Sequence, residues 1–358
     1  MSNGHVIADA PDTVSGSYRV SLTSAAQAGA DMLRVWSASG LSSSADKLHW
    51  YYHRNPLSQP DVLLVRDDDT GAAVGTCSLG FRQMLLDARP VLGANRCDLA
   101  VVADHRGGQV TPVLLEQVRR YGEIRTQFVY GFPNAMAERA VAKAGFHRIG
   151  RFHTYTKVLD WSGLLSSKLG SASSPILKGW LPAFDRMRYV VGTLGSNDWP
   201  PVRAEWVTPD ERLDAFWQEQ VPKEGLIGVR DSEFLRWRFD RAVHPHARVL
   251  AVFAADEQML GYAVLETLQG KTRVLDFLTR TDPTGQALTA TMNCVFETAR
   301  QESAHVVHLN FFGGRQITDR LRDLGMSRRA GRPVYVAGRL SKQLPLDRYY
   351  LTMADEDI

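Results

Sequence analysis

The chain has 358 residues, 44% hydrophobic and 23% charged, the balance of a globular protein long enough for two cores. Its net charge of +3 comes from 42 basic and 39 acidic residues without a clustered basic patch, so nucleic acid is not an expected partner. Cys77, Cys97 and Cys294 are too few and too scattered for a disulfide framework or a zinc site, which fits a reducing cytosol and no metal. No apolar run approaches a membrane span.

In chain order, residues 1–17 read as a loose polar tail. Ser24 to Ser37 has helical spacing, with Ala26, Ala30, Leu33 and Trp36 on one side, and an aromatic-rich segment runs from Lys47 to Pro56. Val62–Val65 and Ala72–Ser78 form a hairpin around the turn at Asp67–Gly71. Leu99–Val102 suits a buried strand, and at Thr111-Pro112 a helix begins, with Thr a favoured N-cap and Pro favoured at the first position. Next come a strand at Gln127–Tyr130, a break at Gly131-Phe132-Pro133-Asn134, a helix from 135 to 144 ended by Gly145, and a closing strand at His153–Leu159.

Between strand and helix lies Arg106-Gly107-Gly108-Gln109-Val110-Thr111. A glycine turn feeding a helix N-terminus suits a phosphate, because free N–H groups and the helix dipole point at the anion and Arg106 adds charge. The same glycines would also serve simply to turn the chain.

Residues 161–204 read as a Ser- and Gly-rich connection with one amphipathic piece around Ile176–Arg188, most simply packed on a domain, with a membrane-surface helix the minority alternative. Beyond it the sequence repeats. Leu48, Trp50 and Arg54 align with Leu235, Trp237 and Arg241 at a shift of 187, and Leu64–Gly75 aligns with Leu250–Gly261 at a shift of 186. Val274–Leu278 stands where Asp98 and its strand stood, and Val306–Met326 answers Gln127–Phe146. So long a period implies two copies of one α/β domain, 18–160 and 205–345, rather than a solenoid, with 346–358 left as an acidic tail.

This order of elements resembles the GCN5-related N-acetyltransferase (GNAT) superfamily. Asp98 to Leu115 is similar to its acyl-CoA-binding motif, and Tyr130–Asn134 to Gly145-Phe146 is similar to the motif that follows. The resemblance implies tandem domains, each a mixed, mostly antiparallel sheet flanked by helices, and an acyltransferase using acetyl-CoA or another acyl-CoA as co-substrate. It would place the carrier at Val101, Val102, Arg106, Gly107, Gly108, Gln109, Val110, Thr111 and Asn134, with an oxyanion-binding N–H near Val101 or Val102. Asp98, His53 and His105 are candidates for the general base, and Tyr130 for the acid that protonates the leaving thiolate, since Val141 stands where the family often has Tyr. Trp50, Tyr52 and Arg54 are candidates for binding the acceptor, a small amine or hydroxyl compound, which analogy extends to an amino sugar or envelope polysaccharide precursor. Each of these residues has a bland competing role as core, cap or surface residue; for Asn134 it is that of a helix N-cap.

Gln109 and Thr111 depart from the family's small residues, and Pro112 removes one N–H from the cradle. The second copy, Thr279 to Gln286, has no recognisable cradle. Two alternatives therefore stand beside the acyltransferase: a FemABX-like aminoacyl or peptidyl transferase, and a binding module in which both cradles have decayed. Oligomeric state is not legible.

Overall fold

The computed structural model describes residues 13–42, 44–164, 201–339 and 344–356. The amphipathic piece expected around 176–188 lies outside them. The first half runs β1 (Thr13–Ser15), β2 (Tyr18–Ser24), α1 (Ala25–Ser39), α2 (Ala45–Lys47), a π-helical turn at Leu48–His53, β3 (Asp61–Asp67), β4 (Ala73–Leu86) and β5 (Arg89–Val101). It continues through α3 (Val110–Arg125), β6 (Phe128–Gly131), α4 (Ala135–Lys143) and β7 (His147–Val158). The second half runs β8 (Arg203–Val207), α5 (Glu211–Gln220), β9 (Leu226–Gly228), α6 (Ser232–Arg238), β10 (Ala247–Phe253), β11 (Met259–Leu268) and β12 (Lys271–Thr279). It ends with α7 (Gln286–Gln301), β13 (Val306–Gly313), α8 (Arg315–Asp323), β14 (Ser327–Gly338) and β15 (Tyr349–Leu351).

The strands form one mixed sheet ordered β1-β2-β3-β4-β5-β6-β14-β7-β13-β12-β11-β10-β8. Most pairs are antiparallel, and β5–β6, β12–β13 and β9–β15 are parallel. The closing strand of each half crosses over. β7 pairs with β13, Val306 opposite Val158, and β14 pairs with β6, Val336 opposite Tyr130. β7 and β14 then pair with each other, so backbone hydrogen bonds run unbroken from one half into the other.

The two parallel pairs flanking this exchange are short. β5 meets β6 only from Gly93 to Asn95, and β12 meets β13 only from Lys271 to Val274. Past that point each pair splays, and each antiparallel ladder on the other side carries an irregularity, between Thr76 and Ser78 on β4 and between Val264 and Leu265 on β11. The first is a bulge at Asp98, whose φ of 49° is left-handed. In the second half β15 enters beside β13, Phe312 opposite Leu351, and Tyr350 donates its hydroxyl to the Phe277 carbonyl at 2.5 Å, tying β15 to β12 as well.

Three expectations need correction. β4 and β5 extend far beyond Ala72–Ser78 and Leu99–Val102, joined by Asp87 and Ala88 at φ of 49° and 61°. From Ala73 to Arg82 and from Gly93 to Asp98 they are buried on both faces, so they lack the alternation that marks a half-exposed strand. Residues 13–15 are strand β1 and not tail. Of the expected 346–358 acidic tail, residues 346–356 are not loose, for Tyr349, Leu351, Met353, Ala354, Asp355 and Glu356 are buried. Asp355 accepts from Arg230 at 2.6 Å and from Arg82 at 3.4 Å, and Arg230 also reaches Asp276 at 3.1 Å. Burial works against the Arg230 charge, but Asp276 and Asp355 outweigh it and hold the guanidinium protonated.

The halves meet on their aligned tryptophans. Trp50 Nε1 donates to the Trp237 carbonyl at 2.6 Å, and Trp237 Nε1 donates to the Trp50 carbonyl at 3.2 Å. The rings stack 5.5 Å apart.

Candidate active site

α3 begins one residue before the expected N-cap Thr111, with Gln109 at the cap position and no side chain accepting from its first turn. Pro112 thus stands at the third helical position, and its missing N–H is one that would have had no partner within the helix. Gly107 has φ of 77°, which favours glycine. At Gly108 an added Cβ would meet only the His105 carbonyl, 3.8 Å away, so the backbone there is open to close approach. The side chain of Gln109 turns toward the β1–β2 turn, its Oε1 3.2 Å from where a Cβ on Gly16 would sit, and does not block the helix end.

This end of α3 opens on a groove of about 820 Å³ between α3 and α4, lined by Gly107, Gly108, Thr111, Arg119, Arg139 and Lys143 among others. Arg119 donates to the Ala144 carbonyl at 2.8 Å and pairs with Glu123. Arg139 and Lys143, exposed one helical turn apart, make no ion pair among the described residues. Glu116, the acidic residue of the lining, is paired with Arg120 at 2.7 Å. The groove therefore combines an uncapped helix N-terminus with two unpaired cations, a fit for a diphosphate.

Arg106 is placed differently from the expectation. Its Nε donates to the Val101 carbonyl at 2.9 Å and its Nη2 to the Ser39 carbonyl at 2.5 Å, so it clamps the β5–α3 loop and does not line the groove. Asn134 caps α4, accepting from the Ala137 N–H at 2.9 Å, the competing role weighed for it. Val110 is buried in the core beneath the loop and offers only its backbone.

The Val102 N–H is bonded to the Val74 carbonyl at 2.9 Å and cannot serve as an oxyanion donor. In an antiparallel ladder alternate residues face alternate edges. With Val102 turned toward β4, Val101 presents its N–H to the β6 side, where β5 has no strand partner past Asn95, and the bulge leaves Leu99 without a register partner on β4. The splay thus offers two N–H donors, one at the expected Val101 and one at Leu99.

Asp98 is buried and doubly engaged, accepting from Lys47 Nζ at 2.7 Å and from the Tyr52 hydroxyl at 2.6 Å. A carboxylate so paired is a poor base. It secures the bulge to the aromatic segment, and burial followed by Asp98's own charge pushes the Tyr52 hydroxyl well above its usual range. Tyr52 and Trp50 are core residues, not acceptor contacts. Arg54 pairs with Asp240 at 3.1 Å. Tyr130 is buried, donates to the Asp355 carbonyl at 3.0 Å and is held protonated chiefly by burial, so it packs against the C-terminal segment and is not free to serve a leaving group. His105 hydrogen-bonds Tyr18 at 3.1 Å. His53 is exposed and makes no hydrogen bond among the described residues. No cluster of three or more His, Cys, Asp or Glu side chains among the described residues is arranged for a metal ion.

The second half answers each open feature with a closed one. The N-terminus of α7 is capped by Asp282, which accepts from the N–H groups of Gln286 at 2.9 Å and Ala287 at 2.8 Å. Burial raises this carboxyl's pKa, but those bonds and the one from Thr284 outweigh it and keep it charged. An anion already sits where a phosphate would go, and β15 already lies in the splay.

The groove cations Arg119, Arg139 and Lys143, the donor at Leu99 and the Lys47–Asp98 pair were not foreseen. Arg139 and Lys143 had a signal in their i, i+4 spacing on the exposed face of α4.

No family model matches the chain, and no curated protein matches its sequence. Solved structures do. A conserved protein from Enterococcus faecalis V583, described as a probable N-acyltransferase, superimposes with a TM-score of 0.58 at 12% identity over 89% of this chain and 72% of that one. A GCN5-related N-acetyltransferase from Anabaena variabilis gives the same values. The N-myristoyltransferase of Saccharomyces cerevisiae with bound myristoyl-CoA gives 0.58 at 13% identity over 96% and 86%. At such identities the likeness establishes the fold, that of the GNAT acyltransferases.

Proposed function

We propose that the chain is an acyl-CoA-dependent N-acyltransferase made of two GNAT-like units, the first of which holds the acyl carrier. The observation that carries this reading is the uncapped N-terminus of α3 on a groove with free cations, beside a splayed β5–β6 pair, when the matching positions of the second half are closed by Asp282 and β15. The carrier's diphosphate would lie against Gly107–Thr111, and its arm would run into the splay alongside Leu99 and Val101.

In the reaction the acceptor's neutral amine attacks the thioester carbonyl, a C–N bond forms, the C–S bond breaks, and the amine proton and the thiolate leave. The N–H groups of Leu99 and Val101 would hold the oxyanion, each such donor lowering the barrier by roughly 3 kcal/mol. Among the proton-handling candidates, Asp98 and Tyr130 are committed to structure and His105 is bonded to Tyr18, which leaves the exposed His53 for that role. A small amine, with amino sugars first among them by analogy, is the acceptor class to test. The test is incubation with acetyl-CoA and a panel of amines and amino sugars, following thiol release and the mass of the N-acylated product. Acceptor-dependent thiol release with a matching mass gain supports the reading, and no release with any acyl-CoA and any amine overturns it.

A further inference from the structure

Arg96 lies on β5 at the apex of the splay, one residue past the last β5–β6 pair at Asn95. It is 6% exposed, yet its Nε has no hydrogen-bond partner, and the guanidinium makes no ion pair among the described residues. Its contacts set its charge against an aromatic ring and meet none of its donors. Its Cζ lies 5.9 Å from the centre of the Phe146 ring, and its Nη2 would be 3.1 Å from a Cβ at Gly131, so a glycine makes room for it on β6. Every other arginine this deeply buried is matched, Arg230 by two carboxylates and Arg82 and Arg238 by carbonyls. A buried guanidinium without a partner is costly, and its forked donors fit a carboxylate.

We propose that Arg96 pairs with a carboxylate at the far end of the acyl chain, so that the preferred donors are thioesters of short dicarboxylic acids such as succinyl- or malonyl-CoA. This rests on the acyl-CoA reading above. Arg96 precedes Leu99, the inner oxyanion donor, by three residues, roughly 10 Å along a strand, a span that a short diacid and the arginine side chain cover between them. An uncharged acyl chain of equal length would leave the guanidinium as it is.

The experiment is calorimetric titration of the full chain with acetyl-, butyryl- and succinyl-CoA, without acceptor. Succinyl-CoA is expected to bind at least tenfold more tightly than butyryl-CoA, which matches its length without the carboxylate. In Arg96→Gln the two are expected to fall within about twofold of each other while acetyl-CoA binds as before. Equal affinities in the natural chain, or a preference that survives Arg96→Gln, overturn the proposal. Should Arg96→Gln not fold, the butyryl–succinyl comparison on the natural chain decides alone. Failure of all three to bind overturns the acyl-CoA reading and this inference with it, whereas equal binding overturns this inference only.

Discussion

Asp98 occupies a left-handed backbone position that disfavours a non-glycine residue, and what keeps it there is its side chain's grip on Lys47 and Tyr52. Removing one member of a buried pair leaves the other charge stranded, so Asp98→Asn is expected to destabilise the chain by about 3 kcal/mol, seen as a lower midpoint in urea. A general base would behave otherwise, with Asp98→Asn keeping the midpoint and losing only turnover. Asp355→Ala removes one of the two carboxylates on Arg230 and the one that Arg82 reaches, and is expected to cost about as much. Truncating a free tail would cost nothing measurable.

At the scale of elements, the π-helical turn and α6 bring Trp50 and Trp237 together, and His244 sits edge-on to Trp50 at 5.4 Å with its Nε2 unpartnered. Burial first, then Arg238 and Arg273, push the His244 pKa down to about 4. In the unfolded chain the ring takes up a proton near pH 6.5, so between roughly 6.5 and 4 the unfolded state binds more protons and stability falls as pH falls. After allowance for partial exposure the loss is about 2 kcal/mol, complete near pH 4. Melting temperatures from pH 7.5 to 4.5 should therefore decline less steeply for His244→Phe than for the natural chain, and parallel slopes would remove His244 from the account. The two tryptophans that meet here stand out in the sequence, because Leu48, Trp50 and Arg54 recur at constant spacing as Leu235, Trp237 and Arg241. The middle of the β4–β5 hairpin was not legible there, since Leu79–Arg82 and Gly93–Arg96 are buried on both faces and the turn, Asp87-Ala88, lacks the usual glycine. β15 was hidden by the acidic residues beside it, whose arginine partners are far away in sequence. The helix-end cradle was legible from its glycines, but the direction in which Arg106 points depends on the carbonyls of Ser39 and Val101 that tertiary folding brings to it.

Over the whole molecule, the exchange of β7 and β14 makes each half incomplete. Residues 1–160 expressed alone would leave β6 without β14 and β7 without either neighbour, exposing apolar strand edges. That fragment is expected to aggregate, and to become soluble when co-expressed with 201–358; a monomeric, cooperatively melting 1–160 would contradict the interlocked sheet. The same interlock lets one half specialise. With the second half's helix end closed by Asp282 and its splay filled by β15, carrier binding is expected at one site per chain. The most direct measurement is calorimetric titration with acyl-CoA of the natural chain and of Gly108→Asp, which places a carboxylate at the open end of α3 as Asp282 does at α7. Position 108 has room for a side chain, so folding should be unaffected. The account predicts binding at one site per chain, weakened at least tenfold in Gly108→Asp with an unchanged melting temperature; an affinity that ignores the new carboxylate, or no binding by the natural chain, would contradict it.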